Sequence, residues 1–307
     1  MIVYLFKRIM IAVPTLFALM TITFFIMKIV PGGPFDGEKA LPDEVKANLE
    51  AKYRFDQPIW KQYAEYVSNV VQGDFGPSYR YLGGRNVDEI IYDSFPVSAL
   101  LGFYSIFLSV LIGLPLGVMA AYRKNSWIDF SAMFLAIAGV SLPNFLLASI
   151  LVLVFSVYLE WLPPALWEGW SSAVLPVATL SVRPIALVAR LTRASLLETL
   201  NTDYVRTARA KGLSTFKVVF KHALKNALVP VVTLLGPLTA AIITGSFVVE
   251  MIFAIPGMGK HFVSAVTDRD YTLIMGLTIV YGILVILANI VVDLMYAWID
   301  PRIRLQE

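Results

Sequence analysis

The sequence predicts an all-α integral membrane protein with six transmembrane helices, and composition, segment length and charge placement each point there. Of the 307 residues, 58% are hydrophobic and 15% charged, with a mean hydropathy of +0.71, beyond the apolar share of ordinary soluble domains. Six apolar stretches reach roughly 17 residues or more, enough at about 1.5 Å per residue to cross a hydrocarbon core of about 30 Å. They run from Ile9 to Val30, Val97 to Tyr122, Phe130 to Tyr158, Ala173 to Ala189, Ala227 to Val249 and Leu273 to Ile299. Segments rich in Lys and Arg all fall on one side of a six-span path, which by the positive-inside rule is cytoplasmic, so both termini are expected inside.

The first stretch follows Lys7 and Arg8 but is longer than a signal-peptide core and ends in "KIVPGGPF" without a small-x-small cleavage pattern, so residues 1–30 are expected to be a retained anchor helix. Residues 31–95 are too long for a simple connection and carry structure of their own. "LPDEVKANLEAKY" opens with Pro42 and places Asp43 and Glu44 in a first helical turn, where the dipole favours acids. "QPIWKQYAEYVSNVV" starts on Pro58 and sets Ile59, Tyr63, Tyr66, Val67 and Val70 on one helical stripe; "GDFGPSYRY" then breaks the pattern. The segment from Pro31 to Phe95 holds eleven acids against seven bases, a net of −4. Its apolar faces are expected on the bilayer, on the protein's own spans or on an external protein.

Residues 96–300 form the core of five further spans, and residues 301–307 a cytoplasmic tail. Pro14, Pro115, Pro143, Pro184, Pro230 and Pro237 interrupt apolar runs and predict kinks. Arg183 sits midway along the fourth stretch beside Pro184 and is expected to face either a water-filled path or an ion-pair partner. Asp293 shares a helical face with Asn289 and reads as structural.

Between the fourth and fifth stretches lies "DYVRTARAKGLSTFKVVFKHALKNALVP". From Arg190 to Asn226 there are eight Lys or Arg against Glu198 and Asp203, a net of +6. Ala208, Gly212 and Val218 fall at spacings like those of a DNA-binding helix-turn-helix. About 37 residues between two spans leave little for the core such a reader needs, and the positive-inside rule already explains the charge, so no nucleic-acid partner is expected. A docking element explains more. Ala208 and Ala210 keep the first helix slim, Gly212 ends it with a sharp turn, and Ser214 caps a second helix. That second helix is expected to turn Phe216, Val219 and Phe220 toward apolar surroundings and Lys217, Lys221 and Lys225 toward water or lipid head groups.

The loop resembles the "EAA" loop, E-A-A-x-x-x-G-x(9)-I-x-L-P, of membrane subunits in binding-protein-dependent ABC importers. Arg206, Thr207 and Ala208 stand at the leading positions, with Gly212 at the glycine, His222 at the isoleucine, Leu224 at the leucine and Lys225 at the proline. "RTARAKGLS" with "KHALKNALVP" is similar to the variant of the peptide and nickel branch. "GDFGPS", "SLPNF", "ARLTRASLLETL", "EMIFAIPGMG", "RDYTL" and "NIVVDLMYAWIDPRIR" look like further signatures of that branch. The stretch "LPDEVKANLEAKYRFDQPIWKQY" with "GDFGPSYRY" is most similar to oligopeptide permeases, ahead of dipeptide or nickel members.

The resemblance implies a type I ABC importer permease fold, with a second homologous permease subunit, two ATPase subunits, an extracytoplasmic peptide-binding protein and peptides as cargo, in a bacterial inner membrane. It implies that residues 194–226 hold a coupling loop, with Tyr204, Arg206, Ala208, Ala210, Lys211, Gly212 and Leu213 facing an ATPase, and that Gly73, Asp74, Phe75, Gly76 and Tyr79 meet the binding protein. The chain shows no ATP site of its own: "AIPGMGKH" has Ala254 and His261 where a phosphate loop needs glycine and a hydroxyl. With no cysteine and two distant histidines, no metal or other cofactor is expected.

Overall fold

Proline decides where one predicted span breaks and leaves the others whole. The computed structural model describes residues 2–36, 42–81 and 84–299, so the expected tail at 301–307 and parts of the 31–95 segment lie outside the described residues. Helix α1 (Ile2–Ile29) leads to two short helices, α2 (Asp43–Lys52) and α3 (Ile59–Val71), then to α4 (Val87–Tyr122). Helix α5 (Trp127–Ser141) is followed by α6 (Asn144–Leu151), which widens into a π-helical stretch at Val152–Tyr158. Helix α7 (Ser171–Thr199) runs into α8 (Asp203–Ala210), then α9 (Thr215–Lys217), a second π stretch (Val218–Ala223) and α10 (Leu224–Ala227). Helices α11 (Val229–Ile243), α12 (Phe247–Ile252), α13 (Met258–Asp268) and α14 (Tyr271–Ile299) complete the described chain.

Five of these segments are long and apolar enough to cross a membrane, and a bent pair brings the number to six if it counts as one span. That pair bears out the kink expected at Pro143 within the stretch from Phe130 to Tyr158 and makes it a sharp break: α5 and the α6 segment meet at 106°. Leu142 precedes Pro143, and the proline ring excludes the helical conformation for its predecessor, which sits at φ −75°, ψ 123°. Elsewhere Pro14, Pro115, Pro184 and Pro237 lie inside helices that continue past them.

The helices are held by close backbone approach and buried pairs. A Cβ on Gly113 would fall 2.7 Å from the Ile185 carbonyl, and one on Gly117 2.5 Å from that of Ala189, so α4 and α7 cross in near contact, in parallel. Asp129 of α5 receives Arg193 of α7 in a bidentate pair, Nε to Oδ1 at 2.5 Å and Nη2 to Oδ2 at 2.7 Å. Helices α1 and α14 run antiparallel, with Arg8 Nη2 2.7 Å from Asp293 Oδ2, the structural role expected of Asp293.

Two ends emerge. At one, the ends of α4 and α7 pack with α8 to α10 around Val118, Ala121, Leu196, Val205 and Val218. At the other, α3 closes over α1 and α14. Of its expected stripe, Tyr66 is buried with Met20, Phe24 and Met27, and Tyr63, Val67 and Val70 pack against them. Ile59, at the helix start, stays exposed. The apolar face of α3 therefore covers the protein's own spans.

Candidate functional site

The basic loop is built so that one side is fixed by the chain itself and the other is left open. Helix α8 buries Val205 and Ala208 in the core shared with α4 and α7. Its C-terminus is a Schellman motif: Leu213 N–H donates to the Ala208 carbonyl at 3.4 Å and Gly212 N–H to the Arg209 carbonyl at 2.9 Å. Gly212 sits at φ +75° with open space where a Cβ would stand, so glycine is required there by backbone conformation and not by crowding. Ser214 accepts the N–H of Lys217 at 3.4 Å and caps the next helix as expected. The Tyr204 hydroxyl accepts Asn226 Nδ2 at 2.8 Å, tying the start of α8 to α10.

The expected loop residues therefore divide. Tyr204, Arg206, Ala210, Lys211 and Gly212 are exposed on the outer side of the turn, with Arg209 among them. Ala208 turns inward, so its small size lets α8 approach the spans and does not slim a contact face; Leu213 is half-buried against the same core. Ala208 and Val218, which gave the helix-turn-helix spacing, meet in this core as well. In the second helix Val219 is inward as expected, together with Val218, Ala223 and Ala227, while Phe216 and Phe220 are 63% and 45% exposed and lie against each other with ring centroids 4.5 Å apart. The π stretch widens the turn from Val218 to Ala223.

Arg183 is exposed, and among the described residues it has no ion-pair or hydrogen-bond partner. At the far end, "GDFGPSYRY" is held on the α13–α14 junction. Asp270, buried, accepts the Ser78 hydroxyl, the Tyr79 N–H at 3.3 Å, the Thr272 hydroxyl at 3.0 Å and the Leu273 N–H at 3.3 Å. It thus caps α14 and clamps the segment at once. Of the residues expected to meet an external protein, Gly73 and Asp74 are exposed, whereas Phe75, Gly76 and Tyr79 are half-buried; Phe75 and Tyr79 pack near Tyr271 and Met275. Burial pushes the Tyr79 hydroxyl well above the ordinary tyrosine range. His261 Nδ1 lies 2.7 Å from the Tyr81 hydroxyl, and burial, with Lys260 and Arg85 nearby, holds its pKa below the ordinary histidine value.

Glu250 is a residue that sequence reasoning passed over except as part of a signature. Its carboxylate is buried, accepts the Ser98 hydroxyl at 2.9 Å and the Lys260 N–H at 2.9 Å, and Ser98 in turn accepts the Met258 N–H at 2.9 Å. An acid one turn before an Ala-Ile-Pro-Gly break inside an apolar run was the available signal, because a buried carboxylate must find donors.

The chain has known relatives. Residues 113–305 match the model for the binding-protein-dependent transport system inner membrane component, and residues 1–102 that for the N-terminal part of such components. The chain belongs to this family. It is 48% identical over 304 residues to the dipeptide transport system permease protein DppB of Bacillus subtilis, covering 99% of this chain and 98% of that protein. It is 46% identical to the oligopeptide permease protein OppB of Haemophilus influenzae and 47% to that of Salmonella typhimurium, in each case over 99% of this chain and 100% of the relative. Dipeptide and oligopeptide relatives are level, so the comparisons place the chain in the peptide branch without dividing it. The fold is shared with an amino acid ABC transporter (TM-score 0.54, 15% identity, 68% of this chain and 93% of that one). It is shared also with a structure described as an inward-facing conformation of the MetNI methionine ABC transporter (TM-score 0.56, 19% identity, 69% and 96%).

Proposed function

We infer that the chain is the membrane-spanning permease component of a peptide importer, moved by ATPases it does not contain. One observation carries the reading: α8 is locked to the spans from beneath by Val205, Ala208 and the Schellman turn while Arg206, Arg209 and Lys211 stand exposed and available to another protein. A push on that outer side is delivered to α7 and α4 through a packed core. ATP-driven closure of two ATPases, acting on this loop and on its counterpart in a second permease subunit, rocks the spans as a rigid body.

The net charges of +6 at the loop and −4 at the far segment support a cytoplasmic loop and cytoplasmic termini. The far segment, with no buried residue on α2, supports contact with an extracytoplasmic binding protein through Gly73, Asp74 and the surface of α2; Phe75 and Tyr79 seat that surface. Oligopeptides are the proposed cargo within the peptide branch, on the sequence of the far segment; a dipeptide importer is the second reading, on the level identity to dipeptide relatives.

The test is reconstitution. The chain with its second permease, ATPases and binding protein in proteoliposomes is expected to accumulate labelled peptide only with ATP, and a panel from two to five residues reads the cargo length. Accumulation by the solitary chain overturns the reading.

A further inference from the structure

The exposed faces of the long helices fall into two chemical kinds. Those of α4 and α5 carry bulky apolar side chains, among them Phe103, Phe107, Phe130 and Phe134, as a lipid-facing surface requires. Helix α11 exposes Pro230, Thr233, Pro237 and Ala241 and no large apolar residue. Helix α7 exposes Arg183, Arg190, Ala194 and Glu198, with one large apolar residue, Val174, near its start. Among the described residues neither Arg183 nor Arg190 has an ion-pair or hydrogen-bond partner.

Depth sharpens the point. The Asp129–Arg193 pair and the adjoining Trp127, 83% exposed, mark the basic rim of the bundle, where tryptophan belongs. Arg183 lies ten residues before Arg193, about 15 Å deeper at about 1.5 Å per residue, which is half of a core of about 30 Å. A guanidinium at that depth does not face lipid. Toward the other end the same helix face is shut: Pro176 and Leu180, seven and three residues before Arg183, are buried, and Leu180 packs with Val249 and Phe253. The face is thus closed on the acidic side and open on the basic side from Arg183 onward.

We propose that Arg183 and Arg190 line the exit half of the translocation passage and receive the α-carboxylate of the peptide in transit. Every peptide with a free C-terminus carries that anion at neutral pH, and two unpaired cations spaced along one face offer it successive contacts. The proposal rests on the peptide-importer reading and adds the group of the cargo that is gripped and the residues that grip it.

Leu187 stands between the two arginines, one turn from each on the same helical face, and is half-buried. The absence of cysteine makes a thiol placed there unique in this chain. In the assembled, nucleotide-free transporter carrying Leu187→Cys, a sulfonate-bearing methanethiosulfonate reagent is expected to react about tenfold faster than its trimethylammonium counterpart, each scaled to its rate with a free thiol. The ratio should fall to about one with Arg183→Gln and Arg190→Gln together, and persist with both changed to lysine. A free-acid dipeptide should protect the thiol more than its amide. Inertness of the thiol to both reagents, meaning a face sealed by the partner subunit, overturns the proposal, as does a ratio that ignores loss of both arginines. ATP-dependent peptide uptake by the unmodified complex, measured in parallel, separates this failure from failure of the importer reading.

Discussion

The two ends of the molecule use polar residues in opposite ways. At the acidic end, Asp270, Glu250 and His261 are turned inward and bonded to hydroxyls and N–H groups of distant segments. At the basic end, Arg206, Arg209 and Lys211 face out, and the Arg206–Asp203 contact at 3.3 Å is 70% and 96% exposed, worth little in water. One end is a cap whose polar groups are bonded inward; the other is a surface whose polar groups are left to solvent, where the proposed reading puts a partner. Substitutions at the first should therefore cost stability and those at the second should cost assembly.

The largest expected effect lies in the cap. Glu250→Ala strands the Lys260 N–H and unbinds Ser98, a loss of about 3 kcal/mol, read as a lower thermal midpoint in detergent and poorer membrane yield; Glu250→Gln should retain part of it. Asp270→Ala, which removes a helix cap and a clamp together, should cost about 2 kcal/mol, and limited proteolysis near Gly73 should accelerate. An unchanged midpoint in either case breaks the contrast.

Gly212→Val is intermediate and crosses the divide. With no clash to relieve, its cost is the left-handed backbone, about 1–2 kcal/mol, too little to expel the spans but enough to unwind the Schellman turn. Membrane insertion should persist while ATPase co-purification and peptide uptake fall, and normal uptake would count against a coupling role. Smaller still, Arg206→Ala should leave the thermal midpoint within about 0.5 kcal/mol of its starting value and show itself only in ATPase association.

Acid offers a graded test of the cap alone. His261 has a folded pKa below its unfolded value, so the unfolded chain binds its proton more readily. Its contribution to stability is present above an unfolded pKa of about 6.5 and is lost as pH falls from there through the lower folded value. The thermal midpoint of the protein should drop on acidification, and His261→Gln should flatten that part of the profile.

Hydropathy revealed the spans because lipid demands long apolar runs, and proline with glycine revealed the short helices and the loop turn because those residues act locally. Ser214 and Gly212 were legible for the same reason. In the third span the kink was legible at Pro143, but composition alone cannot say that the chain turns there through 106°. Phe216 and Phe220 face away from the core because Val218, Val219 and Ala223 fill its inner side. Glu250 and Asp270 were not legible as a cap: their partners Ser98 and Ser78 lie 152 and 192 residues away, and only folding brings them together. The charge at Arg183 was visible at once, but that its face is shut above and open below required Leu180, Val249 and Phe253 to be seen side by side.

Gly113 and Gly117 let the main chains of α4 and α7 touch, and the Asp129–Arg193 pair bolts α5 to the same unit. Such a unit resists bending and answers force by swinging. Helix α7, 29 residues long, spans about 43 Å at about 1.5 Å per residue, so a tilt of about 10° at the loop displaces its opposite tip by about 7.5 Å. A slight tilt imposed at the loop end is thereby amplified at the far end of the bundle.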